Sequence, residues 1–162
     1  MPGSQSNEAT RTRATKTFYD WCEMTFEELE ERLPNGFHDA EIRTISLDFV
    51  SRSIVVGMNL HVGKPDDHDP ERYRPGTLRV VVPYLFFLEP PHPDYHFIPN
   101  GRPINATGKP VKVGQDAVVD RLLAVLPPNS TSYLFFLDDW NSCLYLAGGG
   151  VELSWDDGEA LS

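Results

Sequence analysis

Cysteine is scarce in the 162-residue chain: there are two, Cys22 and Cys143, far apart and in no metal-ligand spacing with histidine. That excludes a disulfide-rich scaffold and a paired-cysteine zinc motif, and it leaves two reduced, partly buried thiols in a cytoplasmic protein as the expectation. Long apolar runs are also missing. The longest, "VVVPYLFFL" from Val80 to Leu88, is flanked by Arg79 and Glu89 and reaches about half of what a spanning helix needs. The first stretch, "MPGSQSNEATRTRATKTF", holds no apolar segment followed by a small-residue cleavage site, so export by the general route is not expected. Gly-rich phosphate loops and nucleophile elbows have no match either, and no cofactor is expected.

Positive charge is the next shortage. Lys and Arg number 14 against 24 Asp and Glu, for a formal net charge of −10. Residues 1–17 carry Arg11, Arg13 and Lys16 against Glu8, so the acidic excess lies wholly in residues 18–162. Such a surface repels phosphate backbones and anionic lipid and attracts basic partners at long range. Nucleic acid and membrane are therefore not expected partners, and a basic protein is.

What the chain does contain is core material: 40% hydrophobic residues, with nine Phe, six Tyr and three Trp. A chain of this length is expected to form one domain and bury roughly 70% of its unfolded surface. Residues 1–17 read as a disordered tail, 18–156 as the domain and 157–162 as a frayed tail. In "MTFEELEERLPNG", Thr25 and Glu28 have capping-box spacing, and Phe26, Leu29 and Leu33 share one helical face. The period then changes. "EIRTISLDFV" (41–50) and "IVVGMNLHV" (54–62) read as a hairpin, and "TLRVVVPYLFFLE" (77–89) as a strand in which Pro83 implies an edge, a bulge or a break. Residues 90–110 hold many prolines and read as a long loop, followed by a second helix over 115–126. "TSYLFFLDD" (131–139) and "SCLYLAGGGVELSW" (142–155) complete a last hairpin. The expected fold is α+β: a mainly antiparallel sheet of about five strands with two helices packed on it.

Few residues suggest chemistry. His38 and Asp39 are adjacent at the start of a strand, where neighbours point to opposite faces, so local bonding to backbone is the plainer reading. A metal-dependent hydrolase built on His38 and Asp39 is the catalytic alternative. "DDHD" (66–69) and the pair His92 and His96 lack a calcium-loop register and a helical setting, and read as solvated loops. In "LDDWNS" (137–142), Asp138, Asp139 and Trp140 could form an aromatic anchor inside an acidic patch, or Trp140 could fold back on the sheet edge. A third reading is a small-ligand site under the 90–110 loop, with Tyr95, Phe97 and Trp155 available to line it.

The stretch "GFHDAEIRTISLDFVSRSIVVGMNLHVG" resembles the opening hairpin of small bacterial proteins with an "hDA-x-I" start, some grouped with immunity proteins of polymorphic toxin systems. The likeness is strongest over 36–62 and weakly echoed at 135–153. It implies an α+β cytoplasmic protein without catalysis. The leading expectation is thus a non-enzymatic interaction protein, in the immunity-protein manner, binding a basic toxin or other basic partner through an acidic surface. Metal-dependent hydrolysis and small-ligand binding stand as alternatives.

Overall fold

The computed structural model describes residues 24–95, 101–159 and 161. The expected tail over 1–17, the domain start near Phe18, and Cys22, His96 and Phe97 lie outside the described residues.

The elements, in chain order, are α1 (Phe26–Arg32), β1 (Ala40–Asp48), β2 (Ser53–His61), β3 (Tyr73–Leu88), β4 (Ile104–Pro110), α2 (Ala117–Leu123), β5 (Thr131–Leu137) and β6 (Ser142–Trp155). Every pairing is antiparallel, and the strands close in the order β1-β2-β3-β6-β5-β4. The fold is a closed six-stranded barrel. This corrects the expected five-stranded α+β sheet, and the reason lies in the segment read as a loop. Its last third, "INATGKP", is β4, which joins β1 through Ala40–Ile42 and β5 through Ala106–Pro110. Two edges that a five-strand sheet would leave unpaired are thereby removed.

The alternation read in "IVVGMNLHV" fills the barrel: Ile54, Val56, Met58 and Leu60 are all fully buried. Leu78 and Val80 of β3, Tyr133 and Phe135 of β5, and Leu144 and Leu146 of β6 face them in the same cluster. β3 and β6 are the longest strands, and their pairing shifts register between Pro83 and Leu85. Val82 takes a positive φ of 50° there, so Pro83 sits in a central strand at a bulge, where its missing N–H is tolerated.

The two helices do not form the expected layer on an open sheet: one packs into the barrel core and the other on outward-facing residues of β5 and β6. α1 packs against β5 and β6 as part of the barrel core, with Phe26 and Leu29 fully buried and the Phe26 ring stacked on Tyr133 at 5.0 Å. Both bonds of the Thr25–Glu28 capping box form, at 2.7 and 3.1 Å, so seven residues suffice for a helix that its packing holds. α2, capped by Asp116, buries only Val119, in a small cluster with Leu134 and Tyr145. Among the described residues no helix is long and apolar enough to cross a membrane.

Candidate functional site

The residues singled out in the sequence fall on two turns. His38 and Asp39 occupy the turn between α1 and β1, where His38 Nδ1 lies 2.7 Å from Asp39 Oδ2 with side chains 70% and 55% exposed. The His38 N–H donates to the Asn35 carbonyl at 3.1 Å, and Asp39 turns the chain into β1 with a φ of 53°. The two side chains bond each other at the surface. Among the described residues no group of three or more His, Cys, Asp or Glu is placed to hold a metal ion, so the pair gathers no third ligand there.

Asp138, Asp139 and Trp140 form the β5–β6 turn. The Asp138 N–H donates to the Asn105 carbonyl at 3.0 Å and the Trp140 N–H to the Leu137 carbonyl at 3.2 Å. Trp140 is half-buried against the core, its carbonyl accepts the His92 N–H at 2.9 Å, and its ring lies 6.2 Å from Tyr95. The two carboxylates stay exposed beside it. Since Ala40 pairs with Ala106, and Ala106 with Leu137, the two candidate turns flank β4. Of the ligand-site residues, Tyr95 packs beside the start of β6 and Trp155 ends that strand, so these two do not converge on one pocket. Asp66–Asp69 are exposed, and Asp67 Oδ2 accepts the Lys64 N–H at 3.0 Å.

A different turn carries the exposed apolar surface. β1 ends at Asp48, whose Oδ1 accepts the N–H groups of Val50 at 2.8 Å and Ser51 at 3.0 Å. The Ser51 hydroxyl and then these amides hold the Asp48 carboxyl below its ordinary range, because each stabilises the charged form. Ser51 Oγ lies 2.8 Å from Ser53 Oγ, and Arg52 closes the hairpin at a φ of 49°. The turn is pinned by its own side chains, and it holds Phe49 86% and Val50 97% exposed. Beside it, Leu47, Phe49, Val82, Pro83 and Tyr84 wall a mostly apolar cleft of about 440 Å³. The β3 bulge supplies one side of that cleft and the hairpin the other.

The apolar pattern of 41–50 places Phe49 and Val50 as the last residues of a strand, whereas the strand stops at Asp48. The signal that could have found them is Asp48 followed by two turn serines, an Asx-turn pattern that ends the strand two residues earlier.

Compared with known proteins, the chain matches no family model, no curated protein and no solved structure.

Proposed function

We propose that the chain is a non-catalytic interaction protein of the cytoplasm, binding a basic protein partner with the β1–β2 turn as its apolar anchor. The observation that carries this is the pair Phe49 and Val50, held out by Asp48 next to an apolar cleft. Large apolar side chains on a side-chain-pinned turn add nothing to the core. Such a turn is preorganised, so it loses little conformational freedom on binding, which is what an interface anchor needs. The net charge of −10 supports a basic partner, with fast association that weakens as salt rises. Neutralising a basic toxin, the role the sequence resemblance implies, is the form of this binding that we put forward.

The test is affinity capture with the wild-type chain and a Phe49→Ser/Val50→Ser double variant, followed by kinetics at several salt concentrations on whatever the wild type retains. A basic protein held by the wild type, lost by the variant and slower to associate in high salt is the expected result. Equal retention by both chains would remove the hairpin from the interface.

A further inference from the structure

A second groove, of about 820 Å³, opens beside the start of β3 and the end of β6. Its lining gathers Arg32, Lys64, Arg72 and Arg74 in a chain with a large acidic excess. Two aromatics, Tyr73 and Trp155, complete the wall. Arg74 is the best held of the cations: its guanidinium carbon lies 4.4 Å from the Trp155 ring centroid, and its side chain is 25% exposed. Stacking on an aromatic face fixes the guanidinium plane and leaves its fork of N–H donors pointing at whatever lies in front.

In front lies the chain's own segment after β6. Arg74 Nε donates to Asp157 Oδ2 at 2.9 Å and Nη2 to Asp157 Oδ1 at 2.8 Å, and Nη2 also reaches the Glu159 carboxylate. Leu161, two residues further, packs against the core and lines the same groove. Asp157, Glu159 and Leu161 thus alternate onto one site. Gly158, at a φ of +82°, gives the bend after Trp155 that brings them there.

We propose that this groove is a binding site for an acidic peptide segment of a partner, and that Asp157, Glu159 and Leu161 occupy it in cis as an internal competitor. Two observations reach beyond a simple latch. Among side chains the segment's carboxylates bond Arg74 alone, while Arg32 and Lys64 have no ion-pair partner among the described residues and Arg72 meets Asp67 only at 4.0 Å. With the segment lifted away, Asp67 is the one acid left among the lining residues. The emptied groove would then present four cations and two aromatic faces, the chemistry that grips carboxylates in bidentate fashion. Asp157 and Glu159 are 52% and 73% exposed, and ion pairs so exposed are weak, so a ligand that also reaches Arg32 and Lys64 can displace them.

The probe is a fluorescent peptide of sequence DDGEALS, titrated into the full chain and into the Asp157→Asn/Glu159→Gln variant. If the internal segment fills the groove nine-tenths of the time, the variant binds about tenfold more tightly than the wild type. Arg74→Lys in the variant background, which keeps the charge and loses the fork, is expected to weaken binding, as are Arg32→Gln and Lys64→Gln. Equal affinity of the two chains, or equally tight binding of the acid-free peptide NNGQALS, would overturn the proposal. A second measurement reads the groove directly: saturating DDGEALS should shift the Trp155 indole signal in the NMR spectrum of the Asp157→Asn/Glu159→Gln chain, and an unmoved signal overturns it as well.

Discussion

Gly108 donates its backbone N–H to the carbonyl of Phe37 at 3.0 Å, and a β-carbon on it would stand 2.6 Å from both Phe37 Cβ and the Tyr133 ring. The residue with no side chain is therefore where the chain between α1 and β1 lies closest on β4. Phe37, Tyr133 and Phe135 meet edge-on or tilted over this point, with centroids 5.3 to 5.4 Å apart. Barrel closure through β4 depends on that fit.

Gly108→Ala is expected to cost about 1–3 kcal/mol of stability, the usual penalty for adding volume to a filled core. Gly57→Ala is the comparison: the nearest atom is Thr44 Oγ1 at 2.6 Å, the end of a side chain that can rotate away. Urea unfolding of both variants checks this. A Gly108→Ala chain no less stable than Gly57→Ala would show that closure does not rest on the close approach.

Thr131 ties α1 to the barrel. It is 5% exposed, and its Oγ1 accepts the Phe26 N–H at 3.0 Å. Thr131→Val keeps the shape and removes the acceptor, leaving a buried donor without a partner. The expected loss is about 1–3 kcal/mol, read from the urea midpoint at unchanged slope. A loss below the error of that measurement would mean that the amide finds water or another acceptor.

The sequence shows some of this architecture and hides the rest for identifiable reasons. β2 is legible because one of its faces is wholly apolar, and α1 because Thr25 and Glu28 mark its start. β4 is not. Asn105, Gly108, Lys109 and Pro110 are poor strand formers, and their extended state comes from β1 on one side and β5 on the other. Whether a sheet closes is a property of such partners, and no local pattern encodes it. The exposed turn was hidden because Phe49 and Val50 continue the apolar pattern of β1, while the Asx turn at Asp48 ends the strand before them. The strand-entry position of His38 and Asp39 and the packing of Trp140 against the barrel were legible in the sequence, whereas the bond between the His38 and Asp39 side chains was not. Arg74 and Asp157 had no signal at all, and Trp155 was read toward a different pocket, because only the pairing of β3 with β6 brings the three together.

Asp48 makes the hairpin turn acid-sensitive in a defined direction. Its carboxyl is held below the ordinary 3.8 by the Ser51 hydroxyl and the Ser51 and Val50 amides. A lowered folded value means that the turn's stabilisation is fully present above the unfolded value and is lost as pH falls through the folded one. The carboxyl carbon of Asp48, followed by NMR, should titrate with a midpoint below 3.8, and Ser51→Ala should move that midpoint upward. In Asp48→Ala the amides of Val50 and Ser51 should exchange faster at neutral pH. An Asp48 midpoint at the ordinary value, with exchange unchanged in the alanine variant, would mean that the turn is held by something else.

Cys143 offers a last check, on the outer face of the barrel. Burial pushes its thiol up and the Glu89 carboxylate adds to the shift, while Glu89 Oε2 accepts the Cys143 N–H at 2.9 Å. Since the thiolate is the nucleophile, alkylation by iodoacetamide at pH 7.5 should run slower than for a free thiol. Measured in a Cys22→Ser chain, so that one thiol reports, the rate should rise with pH to a midpoint above that of free cysteine. Glu89→Gln keeps an oxygen for the Cys143 amide and removes the charge, so the midpoint should fall toward the ordinary value without loss of β6. A midpoint that stays where it was would assign the whole shift to burial and take Glu89 out of the account.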